Sequence, residues 1–237
     1  MPIDLCAEFS TLSTPLVADG CLRAGLALRL APPNLQAVPA GARVAGRVLP
    51  AKHQGSVDVF LEAFESAERG DVLVVDNAGR LDEACLGDLT ALEAQGAGVA
   101  GAVVWGLIRD KPELLSIGLP VFSYGTLPTG PTRAPGRPGD RLVAAHFGAV
   151  VANRDDAVFA DADGAIFVAL EKLPSVLAAA QEIADRERRQ AQAIRAGKSL
   201  RSQVRFREYL AKNANDPHYT FRQHLRTLGG AIEEGFD

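Results

Sequence analysis

The chain has 237 residues and a formal net charge of −4, and 47% of its residues are apolar. This length can bury a substantial core, and the composition is typical of a globular protein rather than a disordered or fibrous one. No apolar run reaches the roughly 18 residues that a membrane-spanning helix requires, and the first residues lack the basic-then-apolar order of a secretion signal. Three widely spaced cysteines match no metal or disulfide framework, so we expect reduced thiols and a cytoplasmic protein.

Charge is distributed unevenly along the chain. Residues 186–226 contain eleven Lys or Arg residues and three acidic residues, a net charge of +8. A basic segment of this kind can attract nucleic acid. The alternative, which we favour, is a helical arm that packs on an acidic neighbouring subunit or keeps a solvated face. We therefore expect neither nucleic acid nor a membrane as a partner.

The first part of the chain predicts alternating helices and strands. Residues 1–30 predict a helical lead-in, and residues 42–49 predict a strand. Ser56 is the predicted cap of the next helix, which we expect to end at Gly70-Asp71. Its apolar face is predicted from side chains at helical spacing, namely Val57, Phe60, Leu61 and Phe64.

The central part of the chain continues this alternation. Residues 72–75 predict a short buried strand, residues 83–95 a helix, and residues 99–104 a second strand. The apolar face of the helix is assigned to Cys85, Leu89 and Leu92. The result is a β-α-β-α-β run, and in such α/β folds functional groups gather beyond the carboxyl ends of the strands.

Residues 125–140 break this pattern. Glycine and proline are so frequent there that no regular element is expected. Residues 142–168 then predict several short strands separated by turns. We assign residues 1–172 to one catalytic α/β domain.

The C-terminal part of the chain predicts helices. Pro174 begins a long helix that runs to about Ala196, and Gly197 stops it. Residues 205–230 predict a further helical arm. We therefore assign residues 173–237 to a C-terminal helical extension.

Two segments carry the candidate chemistry, Leu86-Gly87-Asp88-Leu89 and Arg109-Asp110-Lys111-Pro112-Glu113, with twenty residues between Asp88 and Arg109. Both fall at predicted strand-helix boundaries, which the fold can bring together. Together they supply one fixed cation, two carboxylates and backbone N–H groups. Such a set can hold a divalent metal and an oxyanionic substrate.

The spacing of these segments also carries a family resemblance. From about residue 40 to about residue 172, the chain resembles the class II pyruvate aldolases of the RraA-like family, which include 4-hydroxy-4-methyl-2-oxoglutarate and 4-carboxy-4-hydroxy-2-oxoadipate aldolases. The matching motifs are Gly70-Asp71-Val72-Leu73-Val74-Val75-Asp76, Leu86-Gly87-Asp88, Ile108-Arg109-Asp110, Pro120-Val121-Phe122, Gly130-Pro131-Thr132-Arg133 and Ala160-Asp161-Ala162-Asp163-Gly164. The resemblance implies a layered β/β/α swivelling fold and a homotrimer or a dimer of trimers.

Asp110 and Arg109 are the leading site candidates. A carboxylate just past a buried strand, beside a permanently charged Arg, suits a hard cation such as Mg²⁺ or Mn²⁺. The guanidinium of Arg109 offers a planar fork of donors to a 2-oxo acid. From the residues alone, the alternatives are a structural Arg109–Asp110 charge pair and a surface Arg. The resemblance implies that Asp110 ligates the metal and that Arg109 contacts the substrate and stabilises the pyruvate enolate.

Four other residues have more open roles. Asp88 is expected to hold metal-bound water that acts as acid and base, or to lie on a solvated helix face. Glu113 is a metal ligand through water or a helix N-terminal acid. Gly87 and Leu89 offer backbone N–H groups to a substrate carboxylate only if a helix begins near Gly87. Arg133 is a second contact for a dicarboxylate substrate or an exposed loop residue.

The chain departs from the family pattern next to the Arg-Asp pair. Relatives commonly carry Asp-Gly there, whereas this chain has Trp105-Gly106, so a large ring replaces a carboxylate and the pocket is expected to be smaller or drier. In some related aldolases a Glu from a neighbouring subunit's C-terminal region joins the site. Asp185 and Glu187 are residues of the right kind for this role.

We therefore expect a divalent-metal-dependent lyase that cleaves a 4-hydroxy-2-oxo acid to pyruvate and a carbonyl product. The same enolate chemistry implies a possible oxaloacetate decarboxylase activity. The alternative is a non-catalytic RraA-like regulator that binds a ribonuclease or another protein partner.

Overall fold

A computed structural model of the chain describes residues 4–228. Its α-helices are α1 (Leu5–Phe9), α2 (Thr14–Arg23), α3 (Asp58–Phe64), α4 (Asp88–Gly96), α5 (Lys111–Ile117), α6 (Leu173–Arg195), α7 (Leu200–Gln203), α8 (Phe206–Asn215) and α9 (Phe221–Thr227). Its strands are β1 (Gln36–Val38), β2 (Val44–Lys52), β3 (Val72–Asp76), β4 (Ala84–Leu86), β5 (Gly101–Trp105), β6 (Leu107–Ile108), β7 (Val121–Ser123), β8 (Ala144–Phe147), β9 (Val150–Asn153), β10 (Asp156–Asp161) and β11 (Gly164–Ala169).

A seven-stranded sheet organises the fold, in the order β1-β7-β5-β3-β2-β10-β11. Strands β2, β3, β5 and β7 are parallel, and the outer strands pair antiparallel to their neighbours. Two smaller pairs accompany this sheet, the parallel pair β4–β6 and the antiparallel hairpin β8–β9. The four parallel strands end at Lys52, Asp76, Trp105 and Ser123, so these residues lie along one edge of the sheet.

The strands are apolar on both faces because each face is covered. Alternate side chains of β2 and β3 enter two different cores, as the period of a strand requires. The core on the helical side combines Leu49, Leu73 and Val75 with Phe60 of α3, Ala91 of α4 and Leu114 of α5. The core on the other side combines Val48, Val72 and Val74 with Phe147 and Val150 of the hairpin. The predicted α/β class and layered β/β/α architecture with C-terminal helices are confirmed.

The first predicted helix-strand boundaries are only partly correct. Helix α3 ends at Phe64, before the predicted stop at Gly70-Asp71. Phe60 and Phe64 are buried as predicted, but Val57 and Leu61 are 46% and 50% exposed. The buried stripe instead includes Val59 and Ala63, because the helix begins at Asp58 and its contact face is rotated from the predicted one.

The predicted helix over residues 83–95 is wrong at its beginning. Ala84–Leu86 form strand β4, and α4 starts only at Asp88. Leu89 and Leu92, expected to face the core, are 75% and 49% exposed, while Ala91 and Ala94 are buried. Cys85 is buried as a strand residue. The three-residue strand is too short to show an alternating pattern against the helical spacing around it.

By backbone contacts the chain falls into two compact units, whose described parts are residues 4–15 with 28–173 and residues 16–27 with 174–228. The predicted division after residue 172 stays a prediction. The long helix α6 runs as predicted and is followed by Gly197 at φ +90°. The predicted arm breaks into α8 and α9, and its last predicted residues, 229 and 230, lie outside the described part of the chain.

The C-terminal helices have a small aromatic core of their own. The rings of Phe206, Tyr209, Tyr219 and Phe221 contact one another, and buried His224 packs against three of them. His224 also bonds the carbonyl of Val204 through Nε2 at 2.9 Å. The basic segment therefore has a packed core of its own and is not a disordered tail. Over residues 4–228, no helix is long and apolar enough to cross a membrane.

The cysteines give a direct check on the packing. Cys21 and Cys85 are buried, and burial raises the pKa of the Cys21 thiol to about 11 and that of Cys85 higher still, whereas Cys6 is exposed. Since the thiolate is the reactive form, we expect one thiol per native chain to react rapidly with a disulfide reagent and all three to react after unfolding. Rapid native labelling of Cys85 would contradict this packing.

Candidate functional site

The parallel pair β4–β6 brings the two candidate segments together. Ala84 and Leu86 pair with Leu107 and Ile108, and the N–H of Arg109 donates to the carbonyl of Leu86 at 3.0 Å. Each strand leads into a helix, β4 through Gly87 into α4 and β6 through Arg109 and Asp110 into α5. The N-terminal ends of α4 and α5 therefore lie side by side, as the spacing of the two segments predicted.

Asp110 has a specialised backbone conformation. It precedes α5 with φ 58° and ψ 41°, a left-handed conformation that Asp tolerates better than most residues. Its Oδ2 atom lies 3.4 Å from the N–H nitrogen of Asp88 and 3.3 Å from Nε of Arg109. Strained conformations of this kind are found at functional sites more often than elsewhere.

Gly87 makes room for this carboxylate. A Cβ atom at Gly87 would lie 2.4 Å from Oδ2 of Asp110 and 3.3 Å from Nε of Arg109. Its own φ is −135°, which any residue can adopt, so space rather than backbone freedom requires a glycine here. The Gly-Asp pair and the Arg-Asp pair are thus fitted to each other sterically.

The beginning of α4 exposes backbone donors. Among the described residues, no backbone carbonyl accepts from the N–H groups of Asp88, Leu89 or Thr90, and the first helical bond is from Ala91 to Gly87. The N–H of Leu89 donates to Oδ1 of Asp88 at 2.7 Å. Helix N-termini attract anions through such N–H groups. The condition set for Gly87 and Leu89, a helix that begins near Gly87, is met, because α4 starts at Asp88 with Gly87 as its N-cap.

Arg109 presents its guanidinium at the surface of this site. Its side chain is 48% exposed, and the described residues provide no hydrogen bond to either Nη atom. On one side, a Cβ atom at Gly130 would lie 3.1 Å from Nη1. The Gly-Pro-Thr-Arg loop therefore passes close to the guanidinium and leaves its Nη donors free for a ligand, while Nε pairs with Asp110.

The acidic residues of the site are better suited to a hydrated hard cation than to a metal ion fully enclosed by protein ligands. No cluster of three or more His, Cys, Asp or Glu residues suited to a metal occurs in residues 4–228. Mg²⁺ and Mn²⁺ sites, however, need only one or two carboxylates when water completes the shell. Asp110 has its Oδ1 without a hydrogen-bond partner among the described residues, and Asp88 lies beside it. Glu113 is an exposed residue in the first turn of α5, so its ligand role stays a prediction.

Arg133 is held by a buried carboxylate. Its Nε donates to both oxygens of Glu83, at 3.1 and 3.0 Å, and its Nη2 donates to Glu83, to Oδ1 of Asn77 and to the carbonyl of His53. Of its guanidinium nitrogens, only Nη1 has no partner among the described residues. A substrate contact by Arg133 stays a prediction that rests on this one nitrogen.

The residue that sequence reasoning missed is Glu83. It is 2% exposed and lies directly before β4. Its neighbours Leu81 and Asp82 are exposed, so the sequence around it looks like an ordinary polar loop. Its shortest ion pair is with Arg133, fifty residues further along the chain, and Arg80 and His53 also lie within 4 Å of its Oε1, so this carboxylate belongs to a buried network.

His53 belongs to the same network and gives a pH prediction. Burial lowers the pKa of His53, whose Nδ1 lies 2.9 Å from Oδ1 of Asn77. Below the ordinary histidine pKa of about 6.5 the unfolded chain takes up a proton that the folded chain resists, so folding stability falls as pH falls. We expect His53→Gln to flatten the pH dependence of unfolding between pH values of about 7 and 5, and the exposed-site control His218→Gln to leave it unchanged. Denaturant unfolding at several pH values measures this, and equal slopes in all three proteins would contradict it.

Two further predictions concern neighbours of the site. The ring of Trp105 packs against Tyr124 and Phe147 at centroid distances of 5.0 and 5.5 Å, on the hairpin side of the sheet. Its effect on the pocket stays a prediction.

Asp185 accepts hydrogen bonds from Gln181 and Arg188 on its own helix, and a role for it or for Glu187 in a neighbour's site also stays a prediction.

The fold and the site together define an α/β protein with an arginine and a carboxylate placed at two paired helix N-termini. Residues 14–167 match the RraA-like family, described as Aldolase/RraA. The chain therefore belongs to the RraA-like family.

Relatives of this chain include proteins named as putative aldolases and proteins whose solved structures are described as RraA. A protein of Dechloromonas aromatica named "Putative 4-hydroxy-4-methyl-2-oxoglutarate aldolase" is 31% identical over 163 residues, which are 69% of this chain and 92% of that protein. The crystal structure of Streptomyces coelicolor RraAS2, described as an unusual member of the RNase ES inhibitor RraA family, has a TM-score of 0.69 at 27% identity and covers 79% of this chain and 96% of its own. An uncharacterised Pseudomonas syringae protein, with a TM-score of 0.71 at 23% identity over 84% of this chain and 97% of its own, shares the fold.

Proposed function

We propose that this protein is a divalent-metal-dependent lyase that cleaves a 4-hydroxy-2-oxo acid to pyruvate and a carbonyl product. The observation that carries the proposal is the contact between Asp110, Arg109 and the beginning of α4. Gly87 allows this contact because a side chain at its position would collide with Asp110. The aldolase name of a relative that matches 92% of its own length supports a small-molecule substrate of this class.

The substrate is expected to bind through its 2-oxo acid end. The N–H groups of Gly87, Asp88 and Leu89 offer a place for the carboxylate, which would replace the Asp110 and Asp88 oxygens that accept from Asp88 and Leu89. The free Nη atoms of Arg109 donate to the keto oxygen, and Nη1 of Arg133 reaches a second carboxylate. Because Asp88 and Asp110 would otherwise repel an anionic substrate, a bound cation is needed to reverse the local charge. Mg²⁺ or Mn²⁺ held by Asp110, with Glu113 through water, would polarise the keto oxygen.

The bond that breaks joins C3 and C4 of the substrate. The proton of the 4-hydroxyl group passes to water held by Asp88, C4 becomes a carbonyl, and the electron pair of the broken bond moves to C3. Arg109 stabilises the resulting pyruvate enolate, whose negative charge develops on the oxygen nearest its guanidinium. Return of the proton to C3 gives pyruvate. Oxaloacetate gives the same enolate after loss of CO₂, so we propose decarboxylase activity as well.

Arg109 is the residue whose change tests this chemistry most simply. Arg109→Ala should lower kcat/KM for pyruvate formation by roughly 10² to 10³-fold, as loss of a donor to a developing oxyanion does. Arg69→Ala is the matched control, because Arg69 is exposed next to the amino end of β3, at the opposite end of the sheet. Equal activity of the two variants would remove Arg109 from the mechanism.

The second candidate function is a non-catalytic regulator of a ribonuclease. The likeness to the RNase ES inhibitor RraA family at 27% identity favours it. Capture of a ribonuclease by the purified protein, together with no metal binding at Asp110, would support this function and count against the lyase.

A homotrimer or a dimer of trimers is also proposed. Leu89 and Leu92 on α4 and Leu115 on α5 are 75%, 49% and 48% exposed, and apolar side chains grouped beside a site commonly mark an interface. Light scattering after size exclusion would give the mass, and a monomer at micromolar concentration would contradict the proposal.

A further inference from the structure

Two chain segments enclose the guanidinium of Arg109 and the carboxylate of Asp110. One is β4, which leads into Gly87, and the other is the loop that carries Gly130. Added Cβ atoms at these glycines would lie 2.4 Å from Oδ2 of Asp110 and 3.1 Å from Nη1 of Arg109, respectively. The position of both segments therefore sets the space in which the two functional groups sit.

The two segments are joined to each other directly. The N–H of Ala84, the first residue of β4, donates to the carbonyl of Thr129 at 2.9 Å. Glu83 directly precedes Ala84, and Arg133 follows Gly130 in the loop. The side chains of Glu83 and Arg133 form an ion pair with a shortest distance of 2.8 Å. One backbone bond and one ion pair thus clamp β4 to the loop.

The clamp is also anchored to the ends of the parallel strands. Nη2 of Arg133 donates to Oδ1 of Asn77 at 3.0 Å and to the carbonyl of His53 at 3.3 Å. His53 follows β2 and Asn77 follows β3, so a single guanidinium ties the loop to two neighbouring strand ends. The fork geometry of Arg allows these simultaneous contacts, which the single ammonium of Lys does not provide.

A need for stability alone does not explain this pair well. The Glu83 side chain is 3% exposed and that of Arg133 is 28% exposed. Burying an ion pair gains little over apolar packing, whereas its geometry can fix one arrangement among several. The arrangement fixed here is the position of Gly87 and Gly130 relative to the two side chains of the candidate site.

We propose that Glu83 and Arg133 are positioning residues that hold β4 and the Gly130 loop against Arg109 and Asp110. This inference rests on the proposed lyase function, since it assigns the pair a role in that reaction without contact to the reacting atoms. It moves the main role of Arg133 from the substrate to the framework of the site.

A second buried ion pair in the same fold provides a matched control for testing the role of Glu83 and Arg133. Asp71 is also a buried carboxylate, 2% exposed, and it accepts from Nε and Nη2 of Arg47 at 3.0 and 3.1 Å. Asp71 directly precedes β3, so this second pair lies at the opposite end of the parallel strands from Glu83 and Arg133. Glu83→Gln and Asp71→Asn therefore make the same chemical change in two buried pairs, only one of which borders the site.

The experiment measures kcat and KM for pyruvate formation, and Tm for thermal unfolding, in the full-length wild type and both variants. We expect both substitutions to lower Tm, but only Glu83→Gln to lower kcat, by roughly 10²-fold, as small misplacements of catalytic groups do. KM should change by less than about threefold, because Arg109 acts on the enolate more than on the bound substrate. Arg133→Lys keeps a charge for a second substrate carboxylate and loses the fork, so it should repeat the fall in kcat with KM nearly unchanged, and it decides the question if Glu83→Gln does not fold. A rise in KM with kcat unchanged would instead assign Arg133 to substrate binding and overturn its positioning role.

Each outcome has a distinct meaning. Equal kcat values in Glu83→Gln and Asp71→Asn, whether both unchanged or both lowered, would overturn the positioning role. A fall in kcat confined to the Glu83 and Arg133 variants would support it. A wild-type protein that forms no pyruvate would overturn the proposed function and this inference with it, whereas an active wild type with equal variants overturns the inference alone.

Discussion

Asp110→Asn is expected to abolish most of the activity while leaving the fold intact. The amide has nearly the volume of the carboxylate and can still accept from the N–H of Asp88, where the carboxylate oxygen lies at 3.4 Å. It lacks the negative charge that holds a hard cation. Loss of metal-based stabilisation amounts to several kcal/mol, so kcat/KM should fall by roughly 10³-fold.

Metal binding provides the independent measurement for this variant. Titration with Mn²⁺ should show one site in the wild type and a greatly weakened one in Asp110→Asn. Asp82→Asn is the matched control, because Asp82 is an exposed carboxylate that pairs with the nearby Arg80. Unchanged Mn²⁺ affinity in Asp110→Asn would show that the cation lies elsewhere or is not used.

Gly87→Ala is expected to damage the site through a single added methyl group. That methyl carbon would lie 2.4 Å from Oδ2 of Asp110, closer than real contacts allow, while the backbone at φ −135° accepts alanine without strain. The side chain of Asp110 can swing away, so the cost in stability should be about 1 kcal/mol or less. The displaced carboxylate should lower kcat/KM by roughly 10²-fold.

A second glycine on α4 makes the comparison clean. Gly96, at the last position of the helix, has open space around its Cα, so Gly96→Ala should leave activity unchanged. Activity and Mn²⁺ affinity measured on both variants separate a local steric effect from a general effect on α4. A fully active Gly87→Ala would show that the contact between Gly87 and Asp110 does not matter for function.

The sequence predicted the meeting of the two candidate segments better than it predicted the elements that carry them. The Gly-Asp and Arg-Asp segments were expected at strand-helix boundaries, and the structure brings them together there. The boundary before Gly87 was nevertheless assigned to a helix, because Cys85, Leu89 and Leu92 fall at helical spacing. Strand β4 exists through its pairing with β6, about twenty residues further along the chain, and local periodicity carries no signal of that pairing.

The parts of the site that the sequence did not predict depend on partners distant in the chain. Glu83 has exposed neighbours, and nothing local separates it from a solvated acid. Its burial follows from Arg133, and the orientation of Arg133 follows in turn from Asn77 and His53. Periodicity describes which face of an element is apolar, whereas a buried ion pair between two loops has no period to detect.

Glycines illustrate the same limit. Gly87 was singled out for the N–H groups that follow it, a role that requires a helix start. The structure adds a steric role that no composition or spacing argument supplies, because the atom that excludes a side chain belongs to Asp110 in another segment. Gly130 was part of a motif, and its approach to Arg109 became visible only in three dimensions.

The most direct test of the proposed function is pyruvate release by the full-length wild type from 4-hydroxy-4-methyl-2-oxoglutarate and from oxaloacetate, measured with Mg²⁺ and again with excess EDTA. We expect pyruvate from at least one substrate with Mg²⁺ and its loss with EDTA. No pyruvate from either substrate in the presence of Mg²⁺ or Mn²⁺, or release that EDTA does not affect, would contradict it.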